Sequence, residues 1–346
     1  MRQIIEKKQE VLELTYAETL NKLIHEGYFD ELLDKSHVLF VSTEDYYELW
    51  YDKLIHLAPS IDAFHWYILP NSIKHNTLET YKDVIVYIDE MALPKETLLF
   101  SIGSASCYHL CGYVAATSNY ITGWYYLPSD MVGLIDSLSG EAMLVNDKQV
   151  NQCRVSLLPQ KVVYDLHLSP DADVYVDTVQ EFNLLLRIGF LTNRGLLDVL
   201  FKHVTDNQLT AYLPEIIDST LTLPLNYQEF GQLFSKGLYE MHEGHYLDST
   251  QKECIGLLLH LTWAFDRGDL TFDRETFYDW VAQIVPINLG LPRSMMTYDL
   301  SEAILAECQR SQNILGLAEI GKGCNSSLPT LNELYHAIES YRTHYE

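Results

Sequence analysis

TLLFSIGSASCYHLCGYVAAT, residues 97–117, is the stretch that decides the fold. Residues 97–103 form an apolar run that closes on Gly103 and reads as a buried strand. Small residues then turn the chain, and the apolar run through Ala116 is long enough for a helix. Working outward, HVLFVST (37–43) and WYILP (66–70) read as strands, separated by the helical pattern YYELWYDKLIHLA (46–58). TLETYKDVIVYIDEMAL (77–93) is a second helix, and WYYLP (124–128) and KVVYDLHL (161–168) are further strands. Strand alternating with helix predicts a parallel sheet with crossover helices. Before this region, MRQIIEKKQEVLELTY places charges and aliphatics at helical spacing, which predicts a surface helix to about His25. After it, helical periodicity dominates: EFNLLLRIGFL, RGLLDVLFKHV, YQEFGQLFSKGLYEMH, KECIGLLLHLTWAF, ETFYDWVAQIV and LNELYHAIESYR. The predicted fold class is an α/β, Rossmann-like N-terminal domain (1–168) followed by an all-α C-terminal domain (169–346).

Composition narrows the function. In 346 residues, Lys and Arg total 23 against 48 Asp and Glu, a net charge of −25. Such a field excludes general affinity for nucleic acid, because phosphate binding needs cations to displace counterions. It also disfavours docking on anionic membranes and capture of strongly anionic substrates. Ile255 to Phe265, the longest apolar candidate, is interrupted by His260 and falls short of the about 20 residues a membrane helix needs. The six cysteines (Cys107, Cys111, Cys153, Cys254, Cys308 and Cys324) are scattered, which fits free thiols and a reduced cytoplasm. Cys107 and Cys111 share a helix face and are expected to pack as small hydrophobes. In MHEGH, His242 and His245 fit a solvated polar turn better than a metal site.

Several segments together resemble the dehydroquinate synthase family, which includes the sugar-phosphate cyclases. Beyond residues 97–117 these are ILPNSIKHNTLETY (68–81), DSLSGEAMLVN (136–146), LLPQKVVYDLHL (157–168) and LLLRIGFLTNRGLL (184–197). FGQLFSKG (230–237) and STQKECIG (249–256) lie where the family has its zinc-histidine segments, and CQRSQNILGLAEIGKG with LNELYHAIESY matches its last hairpin and helix. The likeness runs over residues 37–341. It implies a two-domain dehydroquinate-synthase-like fold, a dimer built through the N-terminal domain, and a site in the crevice between domains.

The same resemblance implies NAD- and zinc-dependent oxidation, phosphate elimination and ring closure, and the residues present depart from it. Zinc wants about three protein ligands, and the positions for one Glu and two His carry Leu184, Lys236 and Ser249. The lysine of the family's Gly-Gly-Lys motif is Ala142, preceded by Glu141. Another lysine falls near Val150, before Asn151, and an arginine near Leu225; EAILAEC holds none of the late lysine pair, and only Arg187 keeps a cation. In the NAD segment the glycine-rich turn is Gly103, Ser104 and Ala105, the family's Asp is His109, its Asp-Gly-Glu is Asn71-Ser72-Ile73, and its Thr-Thr pair is Ser129-Asp130. Asp136 and Asn146 match; each also suits a cap or turn. His109, Asp136, Glu141, Asn146, Arg187 and Asn193 are the candidate cleft residues, and a His near carboxylates suits general acid–base work. The reading expects no zinc and no other cofactor, with NAD disfavoured. It expects a catalytically degenerate member acting through protein contacts, as a homodimer or with a related or pathway protein. The alternative is a metal-independent enzyme re-purposed for a non-phosphorylated small molecule.

Overall fold

Every residue of Thr97–Gly103 is buried, because the sheet around it is covered on both faces. That is why its sequence shows no polar alternation. The computed structural model describes residues 1–345 except 8–9, 17, 72–73, 147–150, 166–167, 169–173, 204–208, 225, 269, 271–272 and 312–313. Two compact units result, Met1–Asp173 and Val174–Glu346.

The first unit runs β1 (Arg2–Lys7), β2 (Glu10–Tyr16), α1 (Leu20–His25), β3 (His37–Thr43), α2 (Glu44–Leu54), β4 (Phe64–Leu69) and α3 (Leu78–Glu90). It continues with β5 (Thr97–Gly103), α4 (Ala105–Thr117), β6 (Ile121–Pro128), α5 (Met131–Ser139), β7 (Glu141–Val145), β8 (Asn151–Ser156) and β9 (Lys161–Tyr164). Seven strands form one sheet in the order β1-β2-β9-β6-β5-β3-β4. All its neighbours are parallel except β1 and β2. Leu98, Phe100 and Ile102 of β5 face a core shared with Leu20, Trp50 and Leu54. On the other side of β5, Trp124 Nε1 donates to Ser101 Oγ at 2.8 Å.

The surface helix expected over the first 25 residues is absent. β1 and β2 pair as an antiparallel hairpin with Ile5 opposite Leu12, and only the six-residue α1 follows. The period of two wins over the helical spacing: Leu12, Leu14 and Tyr16 are buried while Val11 is exposed. The hairpin can bury that face because β2 joins β9 in parallel register, Leu14 beside Val162.

The second unit holds α6 (Val174–Thr192), α7 (Arg194–His203), α8 (Leu213–Leu221), α9 (Glu229–Glu240), α10 (Ser249–Arg267), α11 (Arg274–Ile284) and α12 (Thr297–Arg310). A hairpin of β10 (Ile314–Glu319) and β11 (Lys322–Ser326), then α13 (Leu331–Tyr345), complete it. α10 is its centre, buried without interruption from Cys254 to Phe265. α9 is kinked at Phe230 and Gly231. Gly231 has φ +92°, and a Cβ there would lie 2.9 Å from Leu257 Cα, so only glycine suits the position. Among the described residues, no helix is long and apolar enough to cross a membrane.

Candidate functional site

In the first unit the strand order reverses at β3 and β5, and the Gly103-Ser104-Ala105 turn stands at the carboxyl end of β5. Open α/β sheets place ligands at such a point. Gly103 is required there: its φ is +149° and a Cβ would come within 3.1 Å of Cys107 Cβ. The next residues are less suited to a dinucleotide. Ser104 precedes α4 without capping it, and its hydroxyl lies 3.1 Å from Ser106 Oγ. Asp130 caps α5, its Oδ1 accepting from Gly133 N–H at 2.6 Å. A Cβ on Gly133 would lie 3.3 Å from both Asp130 Oδ1 and Ala105 N, so a carboxylate stands close to the start of α4. A pyrophosphate there would face that charge in place of bare backbone.

α4 and α5 bring two of the candidates together. His109 Nε2 and Asp136 Oδ2 are 3.1 Å apart, and both side chains are buried. Asp136 is thus neither cap nor turn residue. His109 Nδ1 has no hydrogen-bond partner among the described residues. The Tyr108 ring packs edge-on at 5.1 Å, its hydroxyl pushed far above the usual tyrosine range by burial. Cys107 and Cys111 are buried free thiols with Sγ atoms 3.9 Å apart.

The other first-unit candidates serve the fold. Glu141 pairs with Arg154 at 3.3 Å across the β7–β8 hairpin. Asn146 lies half-buried just beyond β7. Ala142, at the family's lysine position, is fully buried. A Cβ on Gly112 of α4 would sit only 2.8 Å from its methyl, so α4 and β7 are packed in direct contact here. Val150, Leu225, Ser72 and Ile73 lie outside the described residues.

In the second unit, Arg187 Nε donates to the Phe230 carbonyl at 2.8 Å, capping an oxygen that the kink of α9 leaves outside the helical ladder. Asn193 caps α7, its Oδ1 accepting from Gly195 N–H at 2.9 Å while Nδ2 donates to Glu215 and Ser219. Leu184 is buried in α6, Lys236 is half-buried in α9, and Ser249 opens α10. Over all of α9 the sequence EFGQLFSKGLYE offers no histidine or cysteine. Among the described residues, no three His, Cys, Asp or Glu side chains cluster as a metal site, and the groups at the family positions do not fit zinc. His242 and His245 are exposed, with the His245 ring bonded to the His242 carbonyl.

Sequence reading passed over His260, noted only as a break in an apolar run. It is fully buried, with Nδ1 accepting from Gly231 N–H at 2.9 Å. Its proton is therefore on Nε2, which donates to Leu315 O at 2.7 Å. Phe230 and Phe234 stack on the ring with centroids at 4.3 and 4.4 Å. Burial lowers its pKa to about 3, against the bond to Leu315 and with help from the Arg187 charge. One uncharged imidazole thus holds the α9 kink against β10.

No family model matches the chain. It is 23% identical over 296 residues to the 3-dehydroquinate synthase of Listeria monocytogenes serotype 4b, covering 78% of this chain and 79% of that enzyme. Its fold is similar to that of 2-epi-5-epi-valiolone synthase from Streptomyces hygroscopicus, solved with NAD+ and Zn2+ bound, at TM-score 0.74, 15% identity and 98% coverage of each chain. A 2-deoxy-scyllo-inosose synthase complexed with carbaglucose-6-phosphate, NAD+ and Co2+ gives TM-score 0.69 at 10% identity, over 99% of this chain and 100% of that one.

Proposed function

We propose that this chain, a divergent dehydroquinate-synthase-like protein of the sugar-phosphate cyclase fold, has given up the zinc- and NAD-dependent ring closure and acts through contacts with other proteins. One observation carries the reading: positions where the resemblance requires chemistry are filled by hydrocarbon built into the core. Leu184 is 4% exposed and Ala142 is 0% exposed. Restoring a carboxylate or an ammonium at either place would bury a charge, which is costly without a partner. Arg187, the one retained cation, supports a helix kink. The partner is a second copy, a catalytically active relative or a pathway enzyme, and the setting is the cytoplasm.

Calorimetric titration of the purified protein with NAD+ and, separately, with Zn2+, plus elemental analysis, tests the loss of chemistry. The expected outcome is no saturable binding of either below about 100 μM, which is about −5.5 kcal/mol. Micromolar binding of both, or turnover of a sugar phosphate with NAD+, would sink the proposal. Mixing the protein with an active relative and measuring the relative's kcat and solubility tests the partner role.

A second reading rests on His109 and Asp136. A buried imidazole with one nitrogen on a carboxylate and the other without a hydrogen-bond partner among the described residues is a general-base arrangement, and it suits a metal-independent enzyme acting on a non-phosphorylated molecule. A thermal shift with small molecules alone, abolished by His109→Gln, distinguishes this enzyme from a partner protein.

A further inference from the structure

The helical unit contains a pocket of about 380 Å³, apart from every residue considered so far as a site. It opens where the turn His242–Tyr246 runs into α10, against the loop after α11 and the end of α13. Its walls include Tyr246, Gln251, Asn288, Leu291, Arg293 and Tyr345. That volume falls within the range of small-molecule sites.

The pocket reverses the sign of the molecule. The chain carries −25, yet among the described residues no Asp or Glu lines this pocket and an arginine does. The side-chain amide oxygens on its walls are used internally. Gln251 Oε1 accepts from Asp248 N–H at 2.9 Å, and its Nε2 donates to Asn288 O at 3.2 Å. Asn288 Oδ1 in turn accepts from Gly290 N–H at 3.0 Å. Tyr345 is anchored through its hydroxyl to Tyr278 O at 3.3 Å, which fixes its ring. The side-chain groups left to meet a ligand are the Arg293 guanidinium, the Asn288 amide nitrogen, and the ring and hydroxyl of Tyr246, which is 67% exposed.

We propose that this pocket binds a small aromatic carboxylate. The forked N–H groups of Arg293 match a carboxylate, and the exposed ring of Tyr246 suits an aromatic ligand. The overall field favours a single negative charge over a phosphate dianion. Gln251 belongs to the segment 249–256, but neither the family's ligand positions Leu184, Lys236 and Ser249 nor any candidate cleft residue lines this pocket.

The test uses the intact protein and two probes, 4-hydroxybenzoate and its neutral amide 4-hydroxybenzamide, followed by calorimetry and ligand-observed NMR at low salt. A ligand of this size should bind with a Kd on the order of 1 mM. The amide should bind at least ~10-fold more weakly, and R293Q should weaken the acid ~10-fold while leaving the amide unchanged. Arg293 is exposed, so R293Q should leave the melting curve unaltered and any loss of binding readable as a site effect. Equal affinity for acid and amide, unchanged acid binding in R293Q, or no binding of the acid up to about 20 mM would each overturn the assignment.

Discussion

Two buried histidines, one in each unit, separate structural from chemical use of the same side chain. His260 has both ring nitrogens bonded to backbone and two phenyl rings stacked on it. It can neither accept nor release a proton without breaking the fold around it. His109 has one nitrogen on the Asp136 carboxylate and one with no hydrogen-bond partner among the described residues. Burial is similar, at 0% and 6% exposed, so depth alone does not distinguish them. The partners do. An imidazole held by two backbone groups is a bracket, whereas one held by a carboxylate keeps the elements of acid–base chemistry.

The strongest way to break this contrast is to remove the bracket. His260→Ala leaves the Gly231 N–H and the Leu315 carbonyl buried without partners and opens a cavity between two rings. Each orphaned group costs about 1–3 kcal/mol, so the helical unit should lose on the order of 4 kcal/mol once the cavity is added. Urea unfolding reads the total, and hydrogen exchange reads the place: the Gly231 amide should lose its protection first. A loss below about 1 kcal/mol would mean that the kink stands without the imidazole.

The contrast sharpens with pH. An unfolded histidine takes up a proton near 6.5, while folded His260 stays neutral down to about 3. Between those values the unfolded state binds more protons, so stability falls as pH falls, by up to ~1.4 kcal/mol per unit. Above 6.5 this contribution is flat and fully present. His260→Gln, which can donate and accept without titrating in this window, should lose stability at neutral pH yet flatten the slope between pH 7 and 5. Parallel slopes for the two proteins would show that carboxylates elsewhere set the acid limb.

The fold was legible where a single element decides it. β5 and α4 are plain in residues 97–117 because a fully buried strand and an apolar helix differ in length and in the turn between them. The first 16 residues misled because Ile4, Ile5, Val11, Leu12 and Leu14 satisfy a helical spacing locally. What makes them strands is the distant β9, which no local pattern contains. The site was legible as a set of losses, since Leu184 and Ala142 declare themselves by type. His260 was not, because its role depends on a kink at Gly231 and a carbonyl at Leu315, 29 and 55 residues away. A histidine inside an otherwise apolar run was nevertheless a signal, for such a group is buried only when both nitrogens are satisfied or when one has work to do.

The smallest effect concerns the His109 proton. With Nε2 at 3.1 Å from Asp136 Oδ2, an ionised carboxylate places the proton on Nε2 and leaves Nδ1 bare. Nitrogen chemical shifts should therefore report the same Nε2–H tautomer for both buried histidines, and Asp136→Asn should disturb only one. With Asn the pair becomes neutral, the side-chain amide can turn either group toward the ring, and the His109 shifts should move toward a mixture of tautomers while those of His260 stay fixed. The accompanying loss of stability should be about 1 kcal/mol, the step from a charged to a neutral hydrogen bond. Should the His109 shifts stay unchanged in Asp136→Asn, the carboxylate does not set its tautomer. The two histidines would then differ only in how well they are packed, and the case for residual chemistry at α4 and α5 would lapse.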